Sequence, residues 1–291
     1  MQSESDHKRR AHPLDADAPL SPREARQQAP HVVTLRYLVR RPYVTYALIA
    51  INVLIFALRA VSFEIDIALL NAGANSGNSV FINGEVWRLF TSMFLHASIH
   101  DFTGGYDFGR STHIIFNMIS LYIAGGIVER AYGHWRFVLI YLLGGLTGSI
   151  FSALLNGGTT LSVGASGAVF AIFGAEFIFF WRHRALLGAY ARAQIQSLIM
   201  LAIFNALGGL ITEFAVGALR IDNWAHLGGA LGGLALAWIA GARYVGVVRT
   251  GTRMIIARNA RPLPPDLRTL AGYAVLLGLT VAVALLAFRL L

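Results

Sequence analysis

Four polar side chains stand in stretches otherwise built from apolar residues and glycine: His113, Asn117, Ser166 and His226. Within lipid such groups are costly, about 2.5–3.5 kcal/mol for a charged one on insertion scales, so their presence invites a functional reading. Ser166 lies in Gly164-Ala165-Ser166-Gly167 at the start of an apolar run. Glycines beside a hydroxyl permit unusual dihedrals and close backbone approach. A helix N-terminus there supplies unpaired amides and partial positive charge, both of which stabilise an oxyanion. His226, in Asn223-Trp224-Ala225-His226, can take the serine proton during attack and return it to a leaving amine. Phe170 follows Ser166 by one helical turn and can hold that imidazole by stacking. His113 and Asn117, also i and i+4, put two donors on one face and with the Ser166 amide form a candidate oxyanion hole. No sequence-adjacent carboxylate completes a triad, so a dyad is the simpler expectation. Taken singly, each residue has an ordinary alternative: a serine cap, an interfacial histidine bonded to a carbonyl, a packed phenylalanine, two polar residues at a helix contact. Taken together they share a depth, a side and complementary roles, which favours hydrolytic chemistry.

The elements that must position these residues are apolar runs at about 43–61, 113–128, 136–155, 165–181, 195–215, 223–241 and 269–290. Each is near the roughly 17–25 residues that cross a bilayer core. Composition agrees: 56% of residues are hydrophobic and 13% charged, against about 25% charged in soluble domains. Gly229 and Gly233 form a small-xxx-small pair that lets the sixth run pack closely on a neighbour. With no cysteine, disulfides, thiolate metal sites and a cysteine nucleophile are excluded. Residues 1–42 form a separate Arg/Ala/Pro/Asp-rich region and read as a disordered cytoplasmic tail.

The net charge of +9 would suggest nucleic acid in a soluble protein, but its placement indicates topology instead. With the N-terminus inside, the tail and the loops after the second, fourth and sixth runs carry 8, 2, 3 and 6 of the 24 basic residues. The outer side keeps Arg59, Arg88, Arg110, Arg220 and Arg289, as the positive-inside rule expects for seven spans. In the long first outer loop, 62–112, Val86, Leu89, Phe90, Met93 and Phe94 share one helical face and predict an interfacial helix. Asp101–Thr112 reads as an irregular insertion. His96 and His100 are i and i+4 but have no third ligand at a recognisable spacing, so no metal is expected. Glu176 lies about ten residues into the fourth run, roughly 15 Å from Ser166 along a helix and too far to join the dyad.

The combination of Trp87-Arg88, His113-x-x-x-Asn117, Gly164-Ala165-Ser166-Gly167 and Ala225-His226-x-x-Gly229-x-x-x-Gly233, with Glu129 before Gly133, resembles the rhomboid family of intramembrane serine proteases over about residues 43–242. The resemblance implies an all-α membrane fold: a six-helix catalytic core over 43–242, a basic cytoplasmic loop over 243–268 and an additional transmembrane helix within 269–291. It implies Ser166 as nucleophile, His226 as base, and His113, Asn117 and the Ser166 amide around the oxyanion. Gly229 would let the fourth and sixth helices approach, with Gly164, Gly167, Phe170 and Gly233 in support. Trp87-Arg88 would sit in a loop partly within the outer leaflet. Implied partners are single-span membrane proteins, cut near the outer end of their transmembrane helix, and the lipid bilayer, with no cofactor. The insertion Asp101–Thr112 departs from the family pattern, in which Phe94-Leu95-His96 leads almost directly into the His-x-x-x-Asn helix. A bacterial plasma membrane is the expected location. The competing expectations are an inactive relative that binds clients, which would usually lack the serine or histidine, and a transporter, which would show paired, interrupted repeats.

Overall fold

A computed structural model describes residues 32–101, 103–214, 220–248, 254–259 and 267–290. Most of the expected N-terminal tail and part of the basic loop 243–268 lie outside these residues. Helices dominate. Strand β1 (Val32–Leu35) precedes α1 (Tyr43–Ala60), α2 (Phe63–Gly73), α3 (Phe108–Tyr132), α4 (His134–Leu155), α5 (Ser166–Arg182), α6 (Arg184–Phe214) and α7 (Asn223–Ala240). Strands β2 (Tyr244–Val248) and β3 (Met254–Asn259) and helix α8 (Leu267–Leu290) follow.

Each of the seven apolar runs coincides with a helix, and among the described residues α1, α3, α4 and most of α6 are long and apolar enough to cross a membrane. Helices α5 and α7 fall short for different reasons, one of length and one of composition. The first has 17 residues and contains Glu176; the second is diluted by His226 and four glycines. Helix α5 is largely enclosed by protein, and α7 is buried along one face. Twelve of the 17 residues of α5 are buried, against 17% of α1 and 6% of α6 over their most apolar windows. A helix screened from lipid tolerates small and polar residues that a lipid-facing one does not.

Glycine sets the spacing of this inner layer. A Cβ on Gly148 of α4 would fall 2.7 Å from the Ala225 carbonyl oxygen. On Gly229 it would fall 2.0 Å from the Gly167 oxygen, and on Gly233 1.9 Å from the Ala171 oxygen. Helices α4, α5 and α7 therefore meet backbone to backbone. At the other end of α5 from Ser166, the N-terminus of α1 has only Pro42 as its cap residue and no local side-chain cap. Glu129, fully buried, performs that task from α3: it accepts from the amides of Val44 (2.9 Å) and Thr45 (2.7 Å), from the Thr45 hydroxyl (2.6 Å), and contacts His134 Nδ1 at 2.5 Å. A carboxylate at a helix N-terminus is stabilised by both hydrogen bonds and dipole.

Two features correct the expectation from sequence. The purely helical reading gains a three-stranded sheet, ordered β1-β3-β2, in which β1 runs parallel to β3 (Val32 opposite Met254) and β2 antiparallel to it. The sheet joins the far end of α5, where the Tyr244 amide donates to His183 Nε2 at 2.8 Å. In the first loop, the single amphipathic helix expected from Val86 to Phe94 is instead a short helix, Arg88–Thr91, and a 3-10 turn, Ser92–Phe94. The chain must become extended at Leu95 to carry His96–Ser98 beneath the site, which ends the helix early. The longer helix of this loop is α2, capped by Ser62, whose hydroxyl accepts from the Ile65 amide at 3.2 Å, with Glu64 and Asp66 in its first turn.

Candidate active site

Ser166, His226, His113, Asn117 and Phe170 all line one cavity of about 530 Å³ among the described residues. Ser166 opens α5 behind Ala165, which offers no side-chain cap, so the first amides of the helix are left as donors beside the hydroxyl. Gly164 holds φ at +134°, a backbone conformation that side chains disfavour. Its amide is tied to the Ser92 carbonyl at 2.9 Å.

The orientation of His113 is determined by a loop. The Ala97 amide donates to its Nδ1 at 3.1 Å, so the neutral ring carries its proton on Nε2. A Cβ on Gly164 would fall 2.9 Å from His113 Cε1 and 3.0 Å from Nε2. The donor therefore faces the turn that leads into Ser166, and only glycine leaves room for it. The loop is itself anchored by a buried ion pair. Arg59 Nε donates to Asp66 Oδ1 at 2.7 Å and Arg59 Nη1 to the His96 carbonyl at 2.7 Å, while the Ser98 hydroxyl donates to Asp66 Oδ2. His96, whose ring centroid is 5.3 Å from that of His113, stays neutral: burial, then its neighbours His113 and Arg59, pull its pKa down to about 3. Asn117 Nδ2 donates to the His113 carbonyl at 2.8 Å, which leaves its second amide hydrogen for another acceptor.

His226 is brought in by α7. Its ring lies 4.1 Å from that of Phe170 with 8° between planes, a parallel stack. Its Nδ1 is buried without a hydrogen-bond partner. Asp222, one helical turn earlier and lining the same cavity, was not singled out from sequence. It is the N-cap of α7: Oδ1 accepts from the Ala225 amide at 2.8 Å, and Oδ2 accepts from the hydroxyls of Ser152 and Ser162, each at 2.5 Å. Those donors engage both oxygens. Its i, i+4 spacing to His226 was the signal available in the sequence. Arg110, Arg220 and Asn205 also line the cavity and had not been selected.

Of the supporting residues, Gly167, Gly229 and Gly233 lie at the α4–α5–α7 contacts described above. Trp87 and Arg88 stand outside the cavity. Arg88 bonds Glu85 (2.7 Å) and the carbonyl of Ala74 (3.0 Å), a residue of the cavity wall, and Trp87 Nε1 donates to the Ala72 carbonyl at 3.1 Å. Glu176 does not line the cavity. Among the described residues no group of three or more His, Cys, Asp or Glu is placed to hold a metal ion.

Comparison with known proteins gives this arrangement its family. A model of the Rhomboid domain matches residues 83–243. The chain is similar to the "Rhomboid protease GluP" of Bacillus subtilis, with 34% identity over 218 residues, 75% of this chain and 38% of that protein. It is similar to the "Putative rhomboid protease YdcA" of the same organism, with 31% identity over 68% of this chain and 88% of that one. The "RHOMBOID-like protein 2" of Arabidopsis thaliana shares 36% identity over 57% of this chain and 46% of its own length. The chain thus spans well under two thirds of GluP and of the plant relative, and most of YdcA. With a matched domain that encloses every residue of the cavity from Ala97 to His226, and with apolar helices around it, the chain is an integral membrane protein of the rhomboid family.

Proposed function

We propose that the protein is an intramembrane serine endopeptidase that cleaves single-span membrane proteins near the outer end of their transmembrane helix. The observation that carries this reading is the sharing of one cavity by Ser166, His226, His113 and Asn117, with the His226 ring stacked on Phe170. In the proposed reaction the Ser166 hydroxyl attacks the scissile carbonyl as His226 accepts its proton. The oxyanion is met by the Ser166 amide, His113 Nε2–H and the second hydrogen of Asn117 Nδ2. His226 then protonates the departing amine, and water, activated by the same imidazole, releases the acyl group. Helices α1 and α3–α7 form the proposed six-span core, α8 is an added span, and the N-terminus faces the cytoplasm of a bacterial plasma membrane.

The test is cleavage of a single-span substrate by protein reconstituted in vesicles. Ser166→Ala is expected to abolish turnover, and labelling by a fluorophosphonate probe is expected to disappear on changing either Ser166 or His226. Undiminished cleavage by Ser166→Ala refutes the assignment.

A further inference from the structure

The segment 103–112 contributes Arg110 to the wall of the cavity. Arg110 lines it together with Ser166 and His226, and its Nε is buried without a hydrogen-bond partner. No ion pair to Arg110 is found among the described residues, and the acids nearest in sequence or in the cavity accept from other donors. Asp107 Oδ1 accepts from the Gly109 amide at 3.0 Å, Asp101 Oδ1 accepts from Thr103 and the Gly105 amide, and Asp222 accepts three donors. Arg220 adds a second guanidinium to the wall. The base of Arg110 is a fixed structure: its amide donates to the Asp107 carbonyl at 3.2 Å, the Thr112 hydroxyl to the Gly109 carbonyl at 2.8 Å, and the Asp107 amide to the Ile99 carbonyl at 2.7 Å. The Tyr106 hydroxyl, donating to the Ala60 carbonyl at 3.2 Å, docks the segment on the end of α1.

We propose that Arg110 is a specificity-determining residue that receives the carboxylate of an aspartate or glutamate in the substrate segment beside the scissile bond. The proposal rests on the protease reading and names a substrate class for it. A guanidinium presents a planar fork that fits a carboxylate in two parallel hydrogen bonds. A buried donor without a partner is costly, and a substrate acid relieves that cost where a neutral side chain cannot, so the site discriminates between them. An anionic lipid headgroup carries similar charge. Arg110, however, faces the cavity that contains Ser166, which favours the peptide.

The experiment compares full-length protein acting on paired single-span substrates that carry Glu or Gln, and Asp or Asn, at each position flanking the cut. At one position the acid is expected to raise kcat/KM by about tenfold, the low end for a charge-assisted hydrogen bond. Arg110→Gln is expected to bring that ratio to about one, and Arg110→Glu to transfer the preference to Lys. A wild-type ratio near one at every position overturns the proposal, whether or not the variants fold. So does a preference that follows the phosphatidylglycerol content of the vesicles and vanishes in phosphatidylcholine. Binding of the same segments to Ser166→Ala protein separates this inference from the one beneath it. If wild-type protein cleaves nothing while the acidic segment still binds tenfold tighter, the protease reading fails and the Arg110 assignment stands; equal binding overturns Arg110.

Discussion

The parallel contact between Phe170 and His226 fixes the imidazole plane without a hydrogen bond to its Nδ1. Phe170→Leu keeps an apolar side chain there but removes the flat surface. Turnover is expected to fall by about tenfold with KM little changed, as for loss of orientation at a reacting group. Asn117→Ala is expected to lower kcat by about 10²–10³, the usual loss for one oxyanion donor; steady-state kinetics on one substrate reads both. These residues were legible because His113/Asn117 and Ser166/Phe170 are i, i+4 pairs, a spacing that puts two groups on one helical face. The partner of His113 Nδ1 was not legible. It is a backbone amide, Ala97, that any residue except proline could provide, and the loop that aims it is held by Arg59 and Asp66, seven residues apart and unremarkable in a list of charges. Asp66→Asn removes one partner of that buried pair and is expected to cost about 3–5 kcal/mol, visible as an earlier thermal transition. The surviving protein is expected to have reduced kcat, because His113 loses its guide.

Among the elements, the three inner helices have no space between their backbones where glycine lies. Gly229→Ala would push a methyl to 2.0 Å from the Gly167 carbonyl oxygen, on the residue next to Ser166. It is expected to cost at least about 1–3 kcal/mol of stability and to reduce activity further than stability alone explains. Gly272→Ala on α8, where nothing lies within 4 Å, is expected to be neutral or stabilising by up to about 1 kcal/mol. Thermal unfolding of the two variants side by side makes the comparison. The helices were readable from runs of apolar residues; the sheet was not, since Val32–Leu35 and Tyr244–Val248 are too short to declare a period and stand among arginines that suggested a solvated loop. Its junction with α5 supplies a pH dependence. His183, just beyond the end of α5, donates from Nδ1 to the Phe179 carbonyl at 2.6 Å and accepts the Tyr244 amide on Nε2, so it must be neutral. Burial lowers its pKa. A group lowered in this way leaves the unfolded chain binding more protons below about pH 6.5, so stability present above that value is lost as pH falls through it. Faster hydrogen exchange of the Tyr244 amide at pH 5.5 than at 7.5 is the expected result.

On the scale of the whole molecule, the helices sort by their surroundings. Those facing outward, α1 and α6, are long apolar spans, while α5 and α7, which hold Ser166 and His226, carry glycine and polar groups among their apolar residues. The parallel pairing of β1 with β3 has a further consequence for how the molecule is made. Val32 leaves the ribosome about 220 residues ahead of Met254, so its companion does not exist until nearly all the helices have been synthesised. Strand β1 must wait, unpaired, until β3 has been made, and a ribosome that stalls before residue 254 leaves behind a bundle whose β1 has nothing to close against.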